Sequence, residues 1–441
     1  MAGPWRALLA RASSQRIVAW HDGRPISVAA FLADVEALAS RLPAAQAAVN
    51  LCEQRYAFLV AFAALLVRGQ ANLLPPSRAA RAIDETLAAH PGSYTLGDAT
   101  LDPAPPHYLR FTPESGSEHS GTPVLIAADA LAAIGYTSGS TGVPRANPKH
   151  WDKLAISSAH NDAVLRGLAG GDYHVVATVP PQHMYGLEFS VLLPLFGHAS
   201  VCAGKPFFAA DIAAALEGLP APRILVTTPV HLRALLDSGH PMPRLAGIVS
   251  ATAPLPQELA EAAEARFAAP VQEVFGSTET CVIAHRRTAC EEAWTPYAGV
   301  VLHPQPDGTR VEAPQLLQPV VLADVVELLA DGRFRLRGRN TDLLEIAGKR
   351  ASLGDLTHRL LAVPGVRDGV VFQMDETDAM GVRRIAALVV APGLDAGAIL
   401  DALRHDVDPV FLPRPLKLVD ALPRNETGKL PRMALLSAMA G

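Results

Sequence analysis

Short apolar runs alternate with helix-period segments along most of this chain, and that alternation restricts it to layered α/β architectures. Ser27–Leu42 carries apolar residues at helical spacing, Ala47–Leu51 reads as a short strand, and Arg55–Val67 as a second, more buried helix. The pattern returns in the middle of the chain. There His174–Val179 and Ile224–Thr228 read as buried strands, and Asp211–Leu219, His231–Leu236 and Gln257–Phe267 as helices. No internal repeat or low-complexity tract interrupts the alternation.

At 441 residues the chain exceeds one small core and fits two or three packed units. Near Val325–Arg337 the pattern changes, with two strand-like runs flanking the turn signal Asp331-Gly332. Beyond it, Ser352 and Asp355 form an S-x-x-D capping box that opens a helix through Leu361. Strands at Val366–Gln373 and Arg384–Val390 and a helix around Ala398–Leu403 follow. These signals predict a large N-terminal domain of layered sheets and helices over 1–338, a hinge at 339–342 and a small mobile α+β domain over 343–441.

Composition narrows the function classes. A formal charge of -5 gives no reason to expect nucleic acid as a partner. The longest apolar run, Ala57–Val67, falls well short of the roughly 20 residues that a bilayer requires, so membrane insertion is not expected. Arginines scattered through the first residues break up any signal-peptide core, which points to a cytoplasmic protein. Cys52, Cys202, Cys281 and Cys290 form no CxxC pair and suggest neither a disulfide framework nor a zinc site.

Four segments carry groups suited to chemistry. Tyr136-Thr-Ser-Gly-Ser-Thr-Gly-Val-Pro-Arg145 combines glycines and hydroxyls that let backbone N–H groups converge on one anion, although a Ser/Gly-rich linker has the same composition. It lacks the G-x-x-x-x-G-K-[ST] of a P-loop kinase. Phe275-Gly-Ser-Thr-Glu279 places a carboxylate beside a hydroxyl and a glycine turn, suited to magnesium or simply to ending a strand. Asp324 faces Gly338-Arg339 across the hairpin, where an aspartate can accept from ribose hydroxyls and an arginine can reach an oxyanion; an exposed ion pair is the plainer alternative. Leu422-Pro-Arg-Asn-Glu-Thr-Gly-Lys429 ends on a single lysine near the C-terminus.

Together these segments resemble the adenylate-forming superfamily, which includes acyl- and aryl-CoA synthetases, nonribosomal peptide adenylation domains and luciferases. YTSGSTGVPR is similar to its phosphate loop, FGSTE to its glutamate motif, Asp324 with GRNTD to its ribose and hinge motifs, and LPRNETGKLPR to its catalytic-lysine motif. VPPQHMYGLE, Val179–Glu188, resembles the acid-pocket motif, and SATAPLPQEL, Ser250–Leu259, the adenine-side loop. GKRASLGDL resembles the segment after the hinge, and all the matches run in family order from about residue 130 to residue 432.

The resemblance implies ATP-dependent, AMP-forming activation of a carboxylic acid and transfer to a thiol, with ATP and Mg2+ as cofactors. It implies that Thr137, Ser138, Gly139, Ser140, Thr141, Gly142 and Arg145 cradle phosphates, and that Thr278 contacts the α-phosphate. Glu279, with Thr141, would bind magnesium; Ala251, Thr252, Ala253, Phe275, Gly276 and Ser277 would border the adenine. Asp324 and Arg339 would hold the ribose, and Lys429 would bridge the reacting oxygens as charge moves. His183, Met184, Tyr185, Gly186, Ser250 and Val274 would line the acid pocket, with His183 as a gate beside the carboxylate. Thr341 marks the hinge about which the small domain turns between half-reactions.

Three departures stand out. The usual lysine after the loop's proline is Arg145, with Lys149 near enough in sequence to take its place; the usual hinge Asp or Lys is Thr341; and the N-terminal part is short for the family. The short length and the tail FLPRPLKLVDALPRNETGK look like the acid ligases of aryl polyene and xanthomonadin pigment clusters, which load an acyl carrier protein. That implies an aromatic acid and a phosphopantetheine thiol. Free coenzyme A as acceptor, and a non-catalytic module that senses nucleotide or acid, are the alternatives.

Overall fold

The computed structural model describes residues 4–11, 13–113, 123–137, 145–305, 308–339, 343–346, 349–377, 383–425 and 428–440. The chain divides into two compact units. The first takes in residues 1–291, 297–299 and 313–317, and the second 292–296, 300–312 and 318–441.

Two sheets organise the first unit. In one, Arg145–His150, Leu131–Thr137, Ala71–Leu74, Ala47–Asn50, Tyr94–Gly97 and Tyr108–Arg110 lie side by side, all parallel except the hairpin made by the first two. In the other, Val271–Ser277, Gly247–Ser250, Arg223–Thr227, Tyr173–Ala177, Ala199–Cys202 and Ile17–His21 run parallel in that order. Cys281–Arg286 and Arg24–Ser27 close its flanks antiparallel. A parallel sheet needs cover on both faces, which explains why the middles of its strands, such as Val175, Val176, Ile224, Leu225, Ile248 and Val249, are apolar and buried.

Helix Arg55–Val67 is buried from Arg55 to Leu66, because it packs on the first sheet and on the π-helical turn Glu188–Leu192 at once. Its neighbour Val28–Arg41 begins at Ser27, whose hydroxyl accepts from the Ala30 amide and so satisfies one orphan donor of the first turn.

In the second unit, Asp324–Leu328 and Phe334–Arg339 form a hairpin that turns at Gly332, with φ of 83°. Further along, Asp368–Thr377 and Arg383–Val390 pair antiparallel, and Leu416–Leu418 joins parallel. Both faces of this sheet are covered, and the period-2 alternation of the strand assigns the residues. Ile385, Ala387 and Val389 pack with Leu356, Leu360 and Leu403, whereas Ala386 and Leu388 pack with Phe372, Leu422 and Leu435. Among the described residues no helix is long and apolar enough to cross a membrane.

Candidate active site

Three of the singled-out segments leave the same end of the parallel sheet. Val179–Glu188 follows strand Tyr173–Ala177, Ala251–Pro254 follows Gly247–Ser250, and Phe275–Glu279 runs off Val271–Ser277. The carboxyl end of such a sheet is where loops converge on a ligand.

The Ser/Gly loop spans a hairpin. Thr137 and Arg145 are register partners at the ends of its two strands; Ser138, Gly139, Ser140, Thr141 and Gly142 lie outside the described residues. The first strand touches two other segments. A Cβ on Gly135 would stand 2.9 Å from Thr278 Cγ2 and 3.6 Å from Met184 Sδ, so only glycine leaves room there. The approach brings the loop's entry strand, the Thr278–Glu279 turn and the acid-side segment to one point.

The turn itself is tied from several sides. The Ser277 amide donates to Thr280 Oγ1 at 3.2 Å, and the Thr280 amide to Ser277 Oγ at 3.3 Å. Gln315 Nε2 donates to the carbonyls of Thr280 and Val282. Lys149, 7% exposed, donates from Nζ to the Glu279 carbonyl at 2.8 Å. Lys149 is therefore engaged with the glutamate turn. Phe275, Thr278 and the Glu279 side chain remain half-exposed, while Val274 beneath them is buried. Gly276 is exposed and sits at a register shift against Val282. Cys281 beside the turn is wholly enclosed, and burial pushes its thiol up to about 12, so it acts as a packing residue.

The acid-side segment turns sharply. A Cβ on Gly186 would lie 1.9 Å from the Pro180 carbonyl oxygen, so the chain doubles back on itself there. His183, half-buried, precedes the single helical turn Met184–Leu187 and its carbonyl accepts from the Leu187 amide. Tyr185 is fully committed: its hydroxyl donates to the carbonyls of Thr227 and Val249 at 3.0 and 2.9 Å, and burial drives it well above the usual phenol range. Ser250 is wholly buried, and its hydroxyl and that of Thr252 have no hydrogen-bond partner among the described residues. Thr252 also adopts φ of 80°, a conformation uncommon for a β-branched residue, just where the chain leaves the strand between Ala251 and Ala253.

In the second unit Asp324 and Arg339 are register partners, and the Asp324 carbonyl accepts from Thr309 Oγ1 at 2.6 Å. Thr341 lies outside the described residues. Lys429 is exposed. Its amide donates to Asn425 Oδ1 and its carbonyl accepts from the Asn425 amide, while Arg424 clasps the Gly428 carbonyl and makes a paired contact with Asp368. A bidentate guanidinium–carboxylate pair fixes orientation as well as position, so Arg424 is held beside Gly428.

The chain from residue 9 to residue 312 matches the AMP-binding enzyme family. A 4-coumarate–CoA ligase of Rhodobacter capsulatus is 30% identical over 319 residues, covering 69% of this chain and 77% of the relative. This protein belongs to the AMP-binding enzyme family. An L-proline–[L-prolyl-carrier protein] ligase of Pseudomonas fluorescens is 27% identical over 77% of this chain and 74% of its own. The o-succinylbenzoate CoA synthetase of Bacillus subtilis, solved with its acyl-adenylate intermediate, superposes with a TM-score of 0.80 at 18% identity, covering 98% of each chain. As an AMP-binding enzyme the protein carries out ATP-dependent, AMP-forming activation of a carboxylic acid.

Sequence reasoning passed over several residues that build this site. Glu188 closes the acid-side motif yet is buried; it accepts from Ser157 Oγ at 2.5 Å, Asn161 Nδ2 at 3.2 Å and the Val282 amide at 3.2 Å. A lone glutamate inside the apolar run Leu187–Leu195 was the available signal. Arg55, likewise, stands at the head of an apolar helix and is fully buried.

Proposed function

We propose that this enzyme activates an aromatic carboxylic acid as its acyl-adenylate and passes it to the phosphopantetheine thiol of an acyl carrier protein. The meeting of Gly135, Thr278 and Met184 carries the adenylation step of the proposal, because it sets the strand feeding the phosphate loop against the segment that would bind the acid. A carboxylate resting on the Met184 side is then next to the α-phosphate that Thr278 would contact, which is the near-attack arrangement adenylation needs.

Two anions must approach, so positive charge and oriented donors have to offset their repulsion. Thr137 to Gly142 and Arg145 would grip the phosphates. Ala251, Thr252 and Ala253 with Phe275, Gly276 and Ser277 would border the adenine. Asp324 and Arg339 would hold the ribose, and Lys429 would stabilise the reacting oxygens. His183, Met184, Tyr185, Gly186, Ser250 and Val274 would shape the acid pocket. A hinge at 339–342, centred on Thr341, would let the part beyond it turn between the half-reactions. The donor set suits magnesium: Glu279 offers a half-exposed hard-oxygen carboxylate on a fixed turn, to be shared with Thr141 and the phosphates themselves. When bound, magnesium supplies charge neutralisation on the phosphates.

The likeness to a ligase acting on 4-coumarate supports an aromatic acid, and the likeness to a carrier-protein ligase supports a protein-borne thiol. Free coenzyme A is the second reading, favoured by the 4-coumarate–CoA ligase relationship. ATP–pyrophosphate exchange across hydroxybenzoates, hydroxycinnamates and aliphatic acids tests the first half. Exchange confined to aliphatic acids would remove the aromatic assignment. Thioester formation with phosphopantetheinylated carrier protein against coenzyme A tests the second, and faster turnover of coenzyme A would decide for the other acceptor.

A further inference from the structure

Two buried charged side chains grip opposite ends of one short stretch of backbone. Lys149 lies on the strand Arg145–His150 that leaves the phosphate-loop hairpin, and its Nζ donates to the carbonyl of Glu279 at 2.8 Å. Glu188 lies at the start of the π-helical turn, and its carboxylate accepts from the amide of Val282 with both oxygens, at 3.2 Å each. The cation thus holds a carbonyl and the anion an N–H, one on each side of Thr280-Cys281.

Both side chains are shielded from water, Lys149 at 7% exposure and Glu188 at 1%. Burial raises the Glu188 carboxyl, and the hydrogen bonds from Ser157 and the Val282 amide, followed by the Lys149 ammonium, offset part of that rise. Two buried charges that compensate each other are tolerable where either one alone is costly. Ser157 Oγ and Asn161 Nδ2 also donate to Glu188, both at Oε1.

We propose that Lys149 and Glu188 are positioning residues that act as a unit, clamping the Thr278–Glu279 turn against the phosphate-loop hairpin for the ATP-dependent half-reaction. The clamp rests on the proposed roles of Thr278 and Glu279 toward ATP. It explains why the loop lysine expected of the family stands four positions along from Arg145: the ammonium is used on the backbone of the turn, not on a phosphate.

The test is acid-dependent ATP–pyrophosphate exchange by the full chain with 4-hydroxycinnamate or 4-hydroxybenzoate, on Lys149→Met, Lys149→Arg, Glu188→Gln and the double variant Lys149→Met/Glu188→Gln. A turn displaced by a fraction of an ångström should cost roughly 10- to 100-fold in kcat/KM for magnesium ATP, with KM for the acid changed by less than about twofold. Glu188→Gln, which keeps size and acceptor oxygen, is expected to fall in the same direction as Lys149→Met, and the double variant to be no worse than the poorer single one. Lys149→Arg, which keeps a buried cationic donor, should retain most activity.

Loss in Lys149→Met with full activity in Glu188→Gln would overturn the clamp and make Lys149 a phosphate ligand. Equal rises in both KM values would overturn it too. If Lys149→Met fails to fold, as read from its thermal transition, Glu188→Gln and Lys149→Arg carry the same test. A wild-type protein silent with every acid would instead sink the proposed activity, and the clamp with it.

Discussion

A methyl group decides whether the entry strand of the loop can touch the glutamate turn. Adding a Cβ at Gly135 brings it to 2.9 Å of Thr278 Cγ2, and the short β-branched threonine has little freedom to move away. Gly135→Ala should therefore lower kcat/KM for ATP by roughly tenfold through a displaced turn. Because the obstacle is the threonine methyl, Thr278→Ser in the same chain should restore most of that loss; steady-state kinetics of the single and double variants decide, and no rescue would place the damage elsewhere. At Lys429 the expectation is different. Its exposed side chain makes Lys429→Ala nearly neutral for stability, within about 0.5 kcal/mol. Adenylate formation should nonetheless drop by at least roughly 100-fold, while transfer from supplied acyl-adenylate stays largely intact. Equal loss of both half-reactions, measured separately, would contradict a lysine that serves only one of them.

At the scale of elements, Arg55 links a helix to the acid-side segment at both ends of that segment. Its guanidinium donates to the carbonyls of Ala177 at 2.8 Å and Val179 at 3.0 Å and to Ser190 Oγ, which in turn donates to the Gly186 carbonyl. Burial lowers its pKa to about 10, so it remains a cation at neutral pH even though it is completely enclosed. Replacing it by methionine keeps volume but orphans two carbonyls, at about 1–3 kcal/mol for each buried group left unpaired. Arg55→Met should lower the denaturation midpoint accordingly and raise KM for the acid more than KM for ATP. An unchanged acid KM would confine Arg55 to stability. The same element logic accounts for Arg424, which the lysine motif contains without a role of its own: it clasps Asp368 on a core strand and the Gly428 carbonyl beside Lys429.

For the whole molecule, buried titratable groups set the response to pH. Burial lowers His160, His174, His231 and His285, all in the first unit. Each then binds its proton more readily in the unfolded chain than in the folded one. Stability from these groups is present above the unfolded value of about 6.5 and is lost as pH falls through it. Glu188 and Glu273 work in the opposite sense, since burial raises them and the folded state gains protons first on acidification. The net curve mixes the two, so a single site is the sharper test. His231 accepts or donates at Nδ1 to Thr178 Oγ1 at 2.8 Å beneath the strand ends. His231→Asn should lose less thermal stability than the wild type between pH 7.5 and 5.5, because the wild-type imidazole takes up its proton more readily unfolded than folded in that window. Parallel curves would show that His231 takes no part in the acid response.

Much of this protein was readable from order along the chain. Alternating apolar runs and helix-period segments require layered sheets with helices between, and the succession of Ser/Gly loop, glutamate turn, paired Asp324 and Arg339, and terminal lysine marks the family, because local backbone chemistry is written in consecutive residues. Roles that depend on partners distant in sequence were not readable. In sequence Lys149 is only a lysine near the phosphate loop, and the fold sets it on the Glu279 carbonyl, 130 positions away; Arg55 opens a buried helix as its sequence indicates, but its partner Ala177 is visible only in the fold. A side chain's type states which bonds it can make; the tertiary packing, which removes water and leaves one partner within reach, decides which of them it does make.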